Sequence, residues 1–569
     1  METPAELRLQ PDQSRYTLGH FLADVCARFG DRPALHFEGR ETSYRELESE
    51  ARRVARGLVA AGVTKGSRVA VLIPNRPEWA VAAFGVGMVG AVLVPVSTFG
   101  TPEEIDGILR HSDASVLLMQ QSLLNHRYRE QLERRHPEIT NATPGQIRCP
   151  SLPALRRVYC MGERAGEGGI ETFADLLSAG TAISENFLDA LIEQVKPSDD
   201  GILIYTSGTT AQPKGVLHRQ RAAVIQSWRF AEHYELQPQD VVLTAQPFFW
   251  TAGICMSLGA TLAGGGRLVL QENFEPEAAL DAIEKLRVTT VFAWPHQETA
   301  MASLPGAAER DLRSVEKLNH ASPLAALCGI DEDRWGTSGS YGLSETFTLA
   351  SAIPARSPAA LREKTAGRPL PGMQIRIVDP ETGEPVATGE RGEIAVKGIT
   401  LMKGYHKVDP ELYLDAEGFF RTQDGGYFDD EGYLYWEGRL GNLIKTGGAN
   451  VSPLEIEEAL RSYPGLWTAH AVGVPHPTWG EIVVLCAVAT GEGDEGVTED
   501  AIRAFLRTHL AIYKVPRRVL FFRKEELALT ANQKIQAGPL REAAKKRLVA
   551  DGASVDGYRY RAADIEGTA

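Results

Sequence analysis

The sequence predicts an α/β protein: a large N-terminal domain of mostly parallel βαβ sheets, a small β subdomain, and a smaller α+β unit at the C-terminus. Three observations predict it. Apolar strands alternate with helices from Ala34 to Leu118 and again from Asp200 to Pro295, which is the pattern of βαβ units. Residues 367–438 change to short strands and turns. After Arg439–Asn442 a new α+β pattern begins. The length, 569 residues, exceeds one ordinary core and fits about three to four units at ~150 residues each.

Each element has its own signal. ALHFEG reads as a strand entering a hairpin. Ser43–Ala61 is an amphipathic helix, with Ser43 placed to cap it and Glu46 three residues on. RVAVLIP is a continuous apolar strand, as in a sheet covered on both faces. WAVAAFGVGMVGA is a buried helix, VLVPVS a strand, TPEEIDGILRHS a helix and SVLLM a strand. HRYREQLERRHP is charged at helical spacing and reads as a solvated helix face. GILIYTSG, VVLTAQP, RLVLQE and TTVFAWP are strands, with helices near Arg221–His233 and Glu277–Leu286. MQIRIVDPETGEPV is a hairpin by its turn residues; GEIAVKG, GFFRTQD and GYLYWEGR are short strands. In the last unit a helix begins with Ser452 as N-cap, Pro453 at N1 and Glu455 at N3.

Composition excludes several function classes. The 43% hydrophobic and 24% charged fractions fit a globular chain. A net charge of −14 argues against a nucleic-acid-binding protein, which carries a basic stripe. Cys26, Cys149, Cys160, Cys255, Cys328 and Cys486 form no CxxC pair, and the thirteen His include no HExxH, so neither a zinc site nor a disulfide framework is expected. The start, METPAELRLQPDQSRY, lacks a basic region followed by an apolar run. A reducing, cytoplasmic compartment is the expectation. Trp79–Pro102 and Val241–Gly266 are uncharged, but their glycines and prolines suit buried helix and strand rather than a membrane span. Nothing in the pattern speaks to oligomeric state.

The sharpest local signal is YTSGTTAQPKG, residues 205–215, after an apolar strand and before a helix. Thr206, Ser207, Thr209 and Thr210 offer hydroxyls, Gly208 allows close backbone approach, and Lys214 brings a positive charge. Such loops hold phosphate oxygens. A Walker-type loop, GxxxxGK[ST], does not fit: Pro213 stands five residues after Gly208, and Gly215 follows Lys214.

This loop resembles the signature of the adenylate-forming superfamily: acyl-CoA synthetases, nonribosomal-peptide adenylation domains and luciferases. Further segments match it in order. SYGLSE (Ser340–Glu345) resembles the aromatic-Gly-x-Thr/Ser-Glu motif, and GEIAVKG…MKGY with RTQD (Arg421–Asp424) resembles the segment ending in TGD. Gly438–Glu457 resembles the hinge and the loop after it, and LTANQKIQ (Leu529–Gln536) stands where the superfamily keeps a C-terminal lysine. The resemblance covers roughly residues 15–545. It implies stacked sheets in residues 1–438, with 367–438 as the β subdomain, and a small mobile lid domain, 439–569.

The resemblance implies a two-step reaction. ATP and a carboxylic acid give an acyl-adenylate and pyrophosphate, and a thiol, usually of coenzyme A, then displaces AMP. Two anions meet in the first step, so cations and dipoles carry the catalysis. It implies that Thr206–Lys214 cradles the β- and γ-phosphates, that Glu345 holds Mg²⁺, and that Ser344 reaches the α-phosphate. Tyr341, beside Gly342, is expected to stack on adenine. Asp424 is expected to accept from the ribose hydroxyls, with Arg439 reaching the same sugar. Lys534 is the expected adenylation lysine. Rotation of the lid about Gly441 is expected to replace it with the Lys445–Asn450 loop, whose Gly447 and Gly448 line a pantetheine tunnel; Lys445 and Asn450 match positions that matter in coumarate-type ligases. Phe248, Phe249, Trp250 and Gly339 are expected at the acyl pocket.

This chain departs from the pattern in several places. Gln533 replaces the Gly that precedes the lysine, Ala528 a Pro, and Gly441 the usual Asp or Lys. Trp250 ends an acyl-pocket motif that usually ends in His, and NHASP stands where GGAP is common. The leading expectation is an AMP-forming ligase that joins an apolar acid to coenzyme A, with adenylation impaired by Gln533, so that a supplied acyl-adenylate is thioesterified more readily. The alternatives are an adenylating amide synthetase or carrier-protein acyl transferase and, from another class, a catalytically impaired nucleotide- or acyl-binding protein.

Overall fold

The continuous apolar runs of the N-terminal half pair into sheets buried on both faces. In the computed structural model, residues 13–162, 168–206, 214–440, 444–446, 449–461, 463–491, 497–510, 512–527 and 535–561 are described. Close packing groups the chain into two units: Met1–Ile375 with Val396–Phe420, and Arg376–Ala395 with Arg421–Ala569. The β subdomain of 367–438 therefore contributes segments to both.

The first unit holds an eight-stranded sheet in the order Gly404–Tyr405, Lys214–Arg219, Asp200–Thr206, Val92–Pro95, Arg68–Leu72, Val116–Gln120, Arg157–Met161, Ile170–Thr172. From Asp200–Thr206 onward every pair is parallel. Val69, Ala70, Val71 and Leu72 are all buried, which is why RVAVL reads as one apolar run instead of alternating. A second sheet runs Thr290–Phe292, Val241–Thr244, Arg267–Val269, Pro33–Phe37, Arg40–Ser43; only the last pair, a hairpin, is antiparallel. The helix Pro77–Met88 is buried on all sides from Trp79 onward, so its sequence is apolar all round. Among the described residues no helix is long and apolar enough to cross a membrane.

Three local expectations are corrected. The 205–215 signal does not run from strand into helix. Lys214–Arg219 is itself a strand, antiparallel to Asp200–Thr206, and the helix begins only at Gln220. The reason is its alternation: Val216 and His218 are buried, while Leu217 and Arg219 are half-buried. Ser452 does occupy the N-cap of Pro453–Ala459, yet its hydroxyl makes no cap bond and instead donates to Glu437 O at 2.7 Å. The charged run at 126–137 forms a helix, Tyr128–Arg135, that buries Tyr128, Leu132 and even Arg129, which is paired with Glu133 at 2.8 Å.

A four-stranded sheet, most of whose residues fall in the second unit, has the order Met373–Val378, Gly392–Gly398, Phe420–Phe428, Leu434–Arg439. A further sheet centres on Gly480–Ala489, antiparallel to Leu466–His476 and parallel to Arg518–Phe521. Both faces of its central strand are buried, as period-two alternation requires when helices cover each side. Ile482, Val484 and Cys486 pack with Leu540, Ala544 and Leu548; Val483, Leu485 and Ala487 pack with Ile456, Ile502 and Leu506.

The expected cap at Ser43 is complete: its hydroxyl accepts from Glu46 N, and the Glu46 carboxylate accepts from Ser43 N at 2.7 Å. Ser43→Ala is expected to cost about 1 kcal/mol locally. Hydrogen exchange should then show faster exchange at Glu46 with no change at the helix centre.

Candidate active site

The antiparallel pair places Thr206 opposite Lys214, so residues 207–213 connect them. Ser207, Gly208, Thr209 and Thr210 lie outside the described residues. On the other edge of Lys214–Arg219, Tyr405 pairs with Val216. This brings the Tyr405 ring under the Lys214 ammonium, Nζ 5.1 Å from the ring centroid. The Tyr405 hydroxyl donates to Glu345 Oε1 at 2.6 Å, and Met402 N donates to the Glu345 carbonyl at 2.7 Å. Lysine, phenol and carboxylate thus form one line within the first unit. Among the described residues no three His, Cys, Asp or Glu gather as a metal cluster. One carboxylate is nonetheless what Mg²⁺ uses when substrate phosphates and water supply its other ligands.

Glu345 sits on a single 3₁₀ turn, Ser344–Thr346. The chain then does something uncommon: Phe347 has φ +51° and Thr348 φ +93°. Left-handed backbone costs about 1–3 kcal/mol for non-glycine residues and is most adverse for a β-branched one. His218, fully buried, donates from Nε2 to the Ser344 carbonyl at 2.8 Å and lies edge-on to Phe347. Burial pushes its imidazole down to about 3, so it is neutral at ordinary pH. Upstream, Tyr341 is buried and paired with Ser351. A Cβ on Gly342 would fall 1.6 Å from the Thr348 carbonyl oxygen, so only glycine fits there. Gly339, at φ +84°, is enclosed by Ile353 and the Arg362 backbone, which fill the space where a side chain would stand.

Phe248 and Phe249 are buried and Trp250 is half-buried. Phe248 packs on Trp79 at 5.1 Å between ring centroids. Phe249 and Trp250 meet edge to face at 5.3 Å, with Phe99 5.3 Å from Phe249 and Trp294 6.1 Å from Trp250. Phe99 is the exposed member of this aromatic group.

In the second unit Asp424 and Arg439 stand opposite each other across adjacent strands. Asp424 is buried, and its Oδ1 lies 2.9 Å from Arg439 Nε. Asp424 N donates to Thr422 Oγ1, whose hydroxyl donates to Ile394 O. Between them Gln423, at the position matching the Gly of TGD, has φ +61°. Its N–H donates to Glu393 Oε1 at 2.8 Å, and Glu393 is held in turn by Arg421.

Lys534, Gly441, Gly447 and Gly448 lie outside the described residues, as do Gln533 and Ala528. Lys445 and Asn450 are backbone partners in a hairpin, Ile444–Thr446 with Ala449–Val451. Sequence reasoning missed Tyr405, His218 and Gln423 as parts of the site. Tyr405 closes the MKGY segment and Gln423 interrupts TGD, so both had a signal; His218 had only inward alternation.

Residues 22–406 match the family model for AMP-binding enzyme, and residues 455–534 match that for the AMP-binding enzyme C-terminal domain. The chain is 33% identical to a feruloyl-CoA synthase from Amycolatopsis sp, over 89% of this chain and 95% of the relative. ATP-bound MatB from Rhodopseudomonas palustris has a TM-score of 0.76 and 25% identity, covering 93% of this chain and 99% of that one. The amide bond synthetase McbA from Marinactinospora thermotolerans has a TM-score of 0.74 and 26% identity, with the same coverage.

The left-handed Gln423 carries a direct test. Gln423→Gly is expected to stabilise the fold by about 0.5–1 kcal/mol, the relieved strain less the entropy glycine adds to the unfolded chain. Thermal unfolding should register a small upward shift in Tm.

Proposed function

The chain belongs to the AMP-binding enzyme family and is an AMP-forming ligase of the acyl-CoA synthetase kind; on that premise we propose that it activates an apolar carboxylic acid and transfers it to coenzyme A. In the first step a carboxylate oxygen attacks the α-phosphorus of ATP and the bond to pyrophosphate breaks. In the second a coenzyme A sulfur attacks the acyl carbon, its proton is lost, and AMP leaves.

The observation that carries the reading is the Lys214–Tyr405–Glu345 line. A cation suited to phosphate oxygens and a carboxylate suited to their counter-ion are held by one phenol. In this reading Thr206 and Lys214 hold the β- and γ-phosphates, Ser344 reaches the α-phosphate, and Tyr341 stacks on adenine. Glu345 would hold Mg²⁺, whose charge offsets that of the phosphates. Asp424 accepts from the ribose hydroxyls once nucleotide competes with Arg439 for its oxygens. Lys534 neutralises charge during adenylation, and Lys445 and Asn450 serve thioester formation after rotation at Gly441, between residues 1–438 and 439–569. The aromatic group around Trp250 supports an apolar acid, and the likeness to a feruloyl-CoA synthase supports a coenzyme A acceptor.

The reading also makes adenylation the slower half-reaction, because Gln533 places a side chain where the superfamily keeps glycine. The likeness to McbA favours one competing acceptor, an amine. Incubation with ATP and a panel of acids, with coenzyme A or amines, and separate assays of pyrophosphate, thioester and amide, distinguishes these readings. Pyrophosphate with amide and no thioester would replace coenzyme A as acceptor. Nucleotide binding with no product from free acid or from a supplied acyl-adenylate would mark an impaired binding protein.

Two variants are expected to respond. Asp424→Ala should lose about 1–3 kcal/mol of AMP affinity by calorimetry; unchanged affinity would remove Asp424 from the nucleotide site. Gln533→Gly should raise pyrophosphate release while leaving thioester formation from a supplied acyl-adenylate nearly constant. Rapid pyrophosphate release by the native protein would show that Gln533 impedes nothing.

A further inference from the structure

The turn that carries Glu345 is held from behind by three side chains that the reaction does not use. His218, Gln226 and Cys255 are fully buried and come from three different elements: the strand Lys214–Arg219, the helix Gln220–His233 and the π-helical turn Gly253–Gly259. They converge on residues 344–349. The Ser344 carbonyl accepts both from His218 Nε2, at 2.8 Å, and from Phe347 N, at 3.1 Å. Gln226 Nε2 spans the left-handed pair, donating to Thr346 O at 3.0 Å and to Leu349 O at 2.7 Å. Cys255 Sγ lies 3.0 Å from Thr348 Oγ1.

Two successive non-glycine residues in left-handed backbone persist only where their surroundings over-determine them, and such strain gathers at functional sites. The cost is compounded at His218, whose buried Nδ1 has no hydrogen-bond partner among the described residues. An aliphatic side chain would fill the same place without leaving a polar atom unsatisfied. The one bond that histidine adds is to the carbonyl of the residue before Glu345. Tyr405 holds the Glu345 carboxylate and Met402 its carbonyl, and His218 adds a bond to the turn at the carbonyl of the residue before it.

We propose that Ser344–Thr348 is a strained turn locked by His218, Gln226 and Cys255, and that His218 is a positioning residue that fixes how Glu345 presents its carboxylate to the metal–nucleotide complex. The proposal rests on the reading of Glu345 as the residue that meets that complex. It separates a positional role from simple core packing, because direction, unlike stability, can be restored by another donor. Glutamine carries an N–H at about the reach of Nε2; leucine carries none.

The test uses the full chain as His218→Leu, His218→Gln and Thr348→Gly. Binding of Mn²⁺ with ATP is followed by the water-proton relaxation enhancement that the Mn²⁺–ATP complex gains on the protein, and ATP alone by calorimetry. Pyrophosphate release, thioester formation from a supplied acyl-adenylate and Tm complete the set. His218→Leu is expected to weaken Mn²⁺ binding in the presence of ATP about tenfold and to lower kcat for pyrophosphate release tenfold or more. ATP binding without metal and the thioester step should stay within about twofold. His218→Gln should recover most of the loss. Thr348→Gly relieves the strain and frees the turn, so it should weaken Mn²⁺ binding without lowering Tm, and it decides the matter if His218→Leu does not fold. Unchanged Mn²⁺ affinity in Thr348→Gly and in whichever His218 variants fold, whatever their Tm, would overturn the proposal while leaving the assignment of Glu345 intact. A native protein that binds no Mn²⁺ with ATP would overturn that assignment and the proposal with it.

Discussion

The pairing of Lys214–Arg219 between Asp200–Thr206 and Gly404–Tyr405 is the constraint on which the first unit's site depends. Its start carries Lys214 and its far edge receives Tyr405. Its inward face carries His218, and it leads directly into the helix that holds Gln226. Backbone hydrogen bonds set these positions, because a slip of one would turn Val216 and His218 together to the opposite face. Glu345 is reached from this one strand by two routes. Tyr405 approaches its carboxylate, and His218 approaches the carbonyl before it.

The second unit solves a related problem differently. There the Asp424 carboxylate is paired with a cross-strand arginine, and its backbone N–H donates to the Thr422 hydroxyl, which donates in turn to Ile394 O on the next strand. A buried charge of this kind needs a partner, since an unpaired carboxylate would be neutralised or expelled. In both units a non-glycine residue in left-handed backbone lies within a few residues of the carboxylate: Gln423 beside Asp424, Phe347 and Thr348 after Glu345. In both, a buried polar side chain holds the backbone next to that strained position, Glu393 in one and Gln226 in the other. Strain and restraint go together because the second is what lets the first persist.

Much of this was legible along the chain. The strands of the large sheet follow apolar runs nearly to the residue, and the capping box at Ser43 and Glu46 forms as its spacing requires. The order of motifs pointed to adenylate-forming chemistry, and the family match bears this out. Less legible was the strand Lys214–Arg219, since six residues beside a loop of hydroxyls carry too short an alternation to stand out from the helix that follows. Ser452 shows the same limit: its position as N-cap followed from local pattern, but its hydroxyl turned to Glu437, a partner from another strand.

The sequence by itself determined what is local: which segments bury both faces, where helices begin, which residue types stand in each motif, and hence the class of reaction. Those properties depend on periods of two and 3.6 residues and on neighbours a few positions away. Only the tertiary structure decided which side chains meet. Tyr405 reaches Glu345 across 60 positions and His218 reaches Ser344 across 126. Contacts at such separations follow from sheet register and from the packing of distant elements. No local pattern encodes them, because each partner's own neighbourhood is satisfied whether or not the other is present.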